Sequence, residues 1–176
     1  ASPRWALDQP YQQSASKGYE ADGLLYLKSG SKEQNILAKQ GDDLRIDWGY
    51  FYMVAGKENT AYSVGNSTEL RKNFVNGTLN SASLEGEDSN GNMALVRSHG
   101  KVKNVTDKIM LGYDDIYSIQ YFGTNLRPYW NSKGDRTIEA EMLAAYNEYD
   151  KLLARCYAFD KKLMEDASAA GGKENR

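Results

Sequence analysis

The run from Leu44 to Val54 limits what this chain can become more than any other stretch. Leu44, Ile46, Trp48, Tyr50, Tyr52 and Val54 occupy every second position, the period that lines one face of a β-strand. The opposite face carries Arg45, Asp47, Gly49, Phe51 and Met53. It starts polar and ends apolar, as if the strand passed from an exposed rim into a buried layer.

Further short strands are expected around this one. Leu24–Leu27 lies between Gly23 and the turn-like Ser29-Gly30-Ser31, and Ile36-Leu37-Ala38 is a second short candidate. Met93–Val96, Ile109–Tyr113 and Ile116–Phe122 follow, the last with Tyr117, Ile119 and Tyr121 on one face. Ser67–Val75 reads as a short helix that Asn66 or Ser67 caps and Gly77 ends, with Leu70 and Phe74 one turn apart. Glu85–Asn92 reads as an acidic, glycine-containing loop.

The last part of the chain changes period. Ile138, Met142, Tyr146, Tyr149, Leu152 or Leu153, Cys156, Phe159 and Leu163 recur at helical spacing. Asp135 or Thr137 offers the cap, Glu139 and Glu141 suit the positive end of the helix dipole, and Gly171-Gly172 stops it. A helix with one apolar stripe of that length must cover the sheet or a neighbouring domain. Strands joined by short turns, without a helix between successive strands, predict a mainly β chain: an antiparallel β-sandwich with one long C-terminal α-helix.

Composition narrows the function classes. Thirteen Tyr against four Phe favours half-exposed strands and contact faces. The net charge is −2 and no Lys/Arg block stands out, which argues against a nucleic-acid partner. No apolar run reaches the length of a membrane span. Cys156 is the single cysteine, so an internal disulfide and a cysteine zinc set are excluded. No cofactor is expected. The opening Ala1-Ser2-Pro3-Arg4-Trp5 lacks the pattern of a signal peptide, and Lys173–Arg176 reads as a cut edge.

Several groups could carry chemistry. Asp42-Asp43, Asp47 and Asp114-Asp115 could form a paired-carboxylate or calcium site, but they flank strands, where turn and strand-end roles are the expectation. Asp88-Ser-Asn-Gly-Asn92 resembles part of a calcium loop, lacks the later bidentate Glu, and is expected to be a hairpin turn. His99 is the only histidine. Ser98 beside it would point to the other face of a strand, so a structural role is expected. Cys156, on the apolar stripe, is expected to be a buried, inert thiol. Arg45 and Asp47 share a strand face and suit an ion pair of small energetic value. Arg127-Pro128-Tyr129-Trp130 joins a cation to two aromatics, which suits a ligand platform, with packing or an interdomain anchor as the favoured reading. Trp48 is a further aromatic candidate. Asn66, Asn76 and Asn104 head N-glycosylation sequons, which matter only in a eukaryotic secretory pathway.

Three stretches together resemble a known family. They are Asn35-Ile-Leu-Ala-Lys-Gln-Gly-Asp-Asp-Leu-Arg-Ile-Asp-Trp-Gly-Tyr-Phe-Tyr52, Leu111-Gly-Tyr-Asp-Asp-Ile-Tyr-Ser-Ile-Gln-Tyr-Phe-Gly-Thr-Asn-Leu-Arg-Pro-Tyr-Trp130, and the helical Cys156-Tyr-Ala-Phe-Asp160 with Ala169-Ala-Gly-Gly172. In this order they resemble the segment of glutaminase A-like proteins that precedes the large helical domain. The resemblance runs from about Tyr19 onward, and Thr60–Lys103 carries little of it. It implies an exported protein, periplasmic or extracellular. It also implies a parent that hydrolyses glutamine to glutamate and ammonia, built as a β-sandwich followed by an α/α barrel. Residues 1–134 would be a partial accessory β-sandwich domain, and 135–172 a helix linking it to the absent barrel. No catalytic residue of that family falls on these motifs, so none is carried over. The expected role is structural, bracing the barrel, the main partner. The alternative is a carbohydrate-binding module of a glycoside-hydrolase-like protein, with a glycan or small molecule as ligand. A third reading has this segment lend a loop to the barrel's active site. The contact candidates are Arg127, Tyr129, Trp130, Trp48 and Asp114.

Overall fold

A computed structural model of the chain describes residues 1–7, 12–38, 46–79 and 91–171. They form a mainly β structure of antiparallel sheets with one long C-terminal helix. The strands are β1 (Ser14–Ala21), β2 (Leu24–Ser31), β3 (Tyr50–Gly56), β4 (Thr60–Gly65), β5 (Asn92–Arg97), β6 (Met110–Asp114), β7 (Ile119–Tyr121) and β8 (Thr124–Leu126). Helix α1 spans Ser67–Val75 and α2 spans Ile138–Gly171. One sheet has the order β1-β2-β3-β6, while β4-β5 and β7-β8 form separate two-stranded ribbons.

The central strand β2 is buried along almost its whole length, so the four-stranded sheet has a core on each face. On one face Leu25, Leu27 and Phe51 meet Tyr62, Val64 and Met93 of the β4-β5 ribbon, with Ala6 closing the side. The two β layers lie face to face as in an open sandwich. On the other face Leu24, Tyr26, Tyr52 and Val54 meet Met142 of α2, with Ile138, Leu143 and Tyr146 packed around them. The alternation read in the sequence sorts these side chains. Tyr52 and Val54 point to the helix and Phe51 to the ribbon.

The strand built on that alternation is shorter than expected. It begins at Tyr50, because Gly49 turns the backbone to φ +89° and ends the pleat. Ile46–Trp48 approach it as irregular chain, and Leu44 and Arg45 lie outside the described residues. Ile36–Ala38 forms a turn with Leu37 at φ +53°, not a strand. Ser29-Gly30-Ser31, expected as a turn, is the buried end of β2. Ile116 and Phe122 both have positive φ, which trims the expected Ile116–Phe122 strand to Ile119–Tyr121. The acidic loop over Glu85–Asn90 lies outside the described residues.

Three strands escape the sequence reading for physical reasons. β1, Ser-Ala-Ser-Lys-Gly-Tyr-Glu-Ala, has almost no apolar alternation, yet Ser14, Ser16 and Gly18 are buried. They are small because the ribbon presses on them: a Cβ on Gly18 would stand 2.1 Å from Tyr62 Cε2. The Ser16 and Ser29 hydroxyls bond each other at 2.8 Å, which satisfies both inside the layer. Asp22 (φ +50°) and Gly23 (φ +78°) form the two-residue loop between β1 and β2, the left-handed turn favoured by an Asp-Gly pair. β8 is only three residues long and pairs with β7, and the six residues of β4 pair along their length with β5.

The two helices follow their caps. Asn66 caps α1 by accepting from the Thr68 N–H at 2.8 Å, and Gly77 follows at φ +66°. Thr137 Oγ1 accepts from the Ala140 N–H at 3.2 Å at the start of α2. The 34-residue α2 is about 51 Å long at 1.5 Å per residue. Only its first turns meet the sheet, and Met142 is its one buried residue. Cys156, expected to be buried, is exposed, because the apolar stripe runs past the edge of the sheet.

Candidate functional site

The sequence candidates fall into two neighbouring groups. Trp48 is 6% exposed. Its indole N–H donates to the carbonyls of Asp115 at 2.7 Å and Tyr117 at 3.0 Å, and the Tyr113 hydroxyl donates to the Trp48 carbonyl. The positive φ of Gly49 lets the chain lie against this segment, since a Cβ there would be 2.5 Å from the Asp114 carbonyl. Trp48 thus ties the entry of β3 to the exit of β6, and its ring face is covered. Asp114 belongs to the same knot. Its Oδ1 accepts from the Ile116 N–H at 3.0 Å and steadies the turn after β6. Burial, followed by the charges of Asp115, Asp114 and Asp47, pushes the Tyr113 hydroxyl up to about 12.

The second group follows β8. The Arg127 guanidinium lies 4.9 Å from the Tyr117 ring centroid, with Gly134 against its Nε. Tyr117 is therefore shared: its carbonyl accepts from Trp48 and its ring carries Arg127. Pro128 leads into a single 3₁₀ turn, Tyr129–Asn131. There Trp130 is half-buried and Tyr129 is 96% exposed. These two rings, with Ser132, Lys133, Asp135 and Arg136, line a pocket of about 290 Å³. At the tip of the β7-β8 ribbon, Phe122 is 90% exposed and packs edge-on against Tyr121.

Of the other acidic and nucleophilic candidates, Asp47 borders the first group, where its charge acts on the Tyr113 hydroxyl, and His99 lies in a separate cluster. Asp47 is buried, and Asp42-Asp43 lie outside the described residues. Among the described residues no group of three His, Cys, Asp or Glu is placed to hold a metal ion. His99 follows β5 as irregular chain and not as strand. Its Nε2 lies 3.0 Å from Asp107 Oδ2, the carboxylate that also accepts from Arg97. Arg97 in turn reaches the Thr60 hydroxyl at 2.8 Å, so this cluster fastens the segment after β5 to the β3-β4 turn. The described surface presents aromatic faces and cations, among them the Tyr129 ring and the Arg127 guanidinium.

A third group was not anticipated. Tyr19 and Tyr26 stack with centroids 5.1 Å apart, and the Tyr19 hydroxyl donates to Glu139 Oε1 at 2.6 Å. Lys28 sits over Tyr50, 3.7 Å from its centroid. The alternation of Lys17 and Tyr19 in β1 was the available signal, hidden by the small residues between them. No helix among the described residues is long and apolar enough to cross a membrane.

No curated protein and no solved structure matches the chain. One family model does, over residues 1–166. Because that match takes in the β layers, both aromatic groups and most of α2, the chain belongs to the family described as a domain of unknown function, DUF5127.

Proposed function

We propose that this chain is a non-catalytic accessory domain of a larger exported hydrolase of the glutaminase A type, and that α2 is the joint to its catalytic partner. One observation carries the reading. Beyond the sheet edge, α2 holds Leu152, Phe159 and Leu163 at 51%, 66% and 55% exposure. They continue the stripe that buries Met142, and an apolar face of that size on a soluble surface marks an interaction site. The resemblance of Asn35–Tyr52 and Leu111–Trp130 to the segment preceding the barrel in glutaminase A-like proteins supports the choice of partner.

The test compares this chain with the full-length parent polypeptide. The parent is expected to release ammonia from glutamine, and the isolated chain to release none. Cys156, exposed on the stripe, is expected to react with a thiol reagent within minutes in the isolated chain and to be protected in the parent. Turnover by the chain alone, or equal labelling of Cys156 in both, refutes the proposal.

A second reading is favoured by Tyr129, whose ring stands 96% exposed beside Trp130 at the rim of a polar pocket. Such a ring suits stacking on a sugar, the role of a carbohydrate-binding module. Binding to a glycan array that Tyr129→Ala abolishes would support it, and an array without signal would remove it.

A further inference from the structure

Strand β5 has an edge that β4 does not cover, and Ala1 occupies the first place along it. The Met93 N–H donates to the Ala1 carbonyl at 2.8 Å, and the Ala1 amine donates back to the Met93 carbonyl at 2.5 Å. Two residues that exchange both bonds are a hydrogen-bonded pair of an antiparallel ladder. Ala1 is therefore one rung of a further strand beside β5, on the side away from β4.

Alternation fixes the rest of that edge. One residue past β5, the Ser98 N–H donates to the Asn59 carbonyl, next to the start of β4, at 2.8 Å. Ala94 and Val96 thus turn their backbone groups to β4, while Met93, Leu95 and Arg97 turn theirs outward. Met93 is met by Ala1. Among the described residues the backbone N–H and carbonyl of Leu95 and of Arg97 meet no hydrogen-bond partner. An open row of this kind is a template for another strand. It borders a groove of about 740 Å³, walled on the far side by Leu70, Phe74 and Val75 of α1. Phe74 and Val75 are exposed there.

We propose that this edge is completed by an extended strand of the parent polypeptide that leads directly into Ala1 and runs antiparallel to β5, a proposal that rests on reading the chain as one piece of a larger polypeptide but not on that polypeptide's activity. Ala1 names the occupant. A separate strand long enough to pass Met93 would collide with Ala1, whereas a strand continuous with it extends the rung already formed. The register follows: the second residue before Ala1 stands opposite Leu95, and the fourth stands opposite Arg97. Opposed residues share a face. Ala1, Met93 and Leu95 all belong to the core that holds Leu25, Leu27 and Phe51, so that second residue is apolar. Burial lowers the proton affinity of the Ala1 amine. A peptide N–H in its place donates the same bond with no charge to desolvate.

The test is hydrogen exchange resolved to single amides, in the isolated chain and in the full-length parent. Leu95 and Arg97 are expected to exchange about a hundredfold more slowly in the parent. Ala94 and Val96, bonded to β4, should be slow in both and report that β5 is folded. Proline at the second and fourth residues before Ala1 removes the N–H groups that face β5, and should return Leu95 and Arg97 to their rate in the isolated chain. Should those prolines release Ala94 and Val96 as well, the comparison of parent with isolated chain decides alone. The rates are read whether or not the parent hydrolyses glutamine. Leu95 and Arg97 exchanging as fast in the parent as in the isolated chain, or as slowly in the proline variant as in the parent, overturns the proposal.

Discussion

The contact between Gly18 and Tyr62 gives the most direct test of how the two β layers meet. A Cβ at Gly18 would lie 2.1, 2.5 and 2.7 Å from Tyr62 Cε2, Cδ2 and Cζ. Carbon atoms in good contact stand about 3.5–4.0 Å apart, so one methyl group requires the ring to retreat by more than about 1 Å. Tyr62 is only 6% exposed and packs within the core of Leu25, Leu27 and Phe51, so it has little room to yield. Overpacking of this kind costs about 2–3 kcal/mol. The reduced freedom of alanine in the unfolded chain returns about 0.4–1 kcal/mol. Gly18→Ala should therefore lose about 1–2.5 kcal/mol, or about 2–10 °C in Tm for a chain of this size. Tyr62→Ala alone should lose about 3–5 kcal/mol. With the ring gone, Gly18→Ala should become neutral or slightly stabilising, so the double variant is less damaged than the sum of the singles by about 1.5–3 kcal/mol. Urea unfolding followed by circular dichroism measures all four proteins. A Gly18→Ala chain as stable as the original, or one that loses as much in the Tyr62→Ala background, refutes this packing.

Other regions make separate predictions. Trp48→Phe keeps the aromatic volume but removes the donor to the Asp115 and Tyr117 carbonyls, and should cost about 1–3 kcal/mol by urea unfolding; no loss would mean the knot does not depend on the indole N–H. Tyr19, Tyr52 and Tyr113 all have hydroxyls held above the ordinary tyrosine value of 10.0, with burial the first cause in each. Their folded values are raised, so their contribution is full below pH 10 and declines as pH rises through them. Tm should fall steadily above about pH 10, and Tyr19→Phe should shrink that fall. The Asp107 carboxyl, although burial pushes it up, is brought below its ordinary value of 3.8 by hydrogen bonds from Arg97 and the Lys108 N–H and by the charges of Arg97 and His99. Its depressed value means the cluster holds above pH 3.8 and loosens only as pH falls through the lower folded value. Carboxyl carbon NMR should place the Asp107 midpoint below that of exposed aspartates, and Arg97→Ala should move it back up.

Part of this protein is written locally. The helical period of Ile138–Leu163, the Asn66 cap and the alternation at Tyr50–Val54 each depend on residues a few positions apart, and each produced its element. The chain also sets where such elements stop: Gly49 at φ +89° ends one, and Asp22-Gly23 makes a tight turn, a pair whose meaning is legible once read as a left-handed loop. Only the tertiary structure decided the rest. β1 is a strand because Tyr62 and Ser29 need small, polar-tolerant neighbours, and its period of two is written in Ser14, Ser16 and Gly18 without the apolar side chains that mark a strand. Lys17 and Lys28, eleven positions apart in the chain, stand opposite each other through register alone. Cys156 sits on an apolar stripe yet is exposed, because periodicity fixes which side of a helix is apolar, whereas burial depends on whether another surface reaches that far along it.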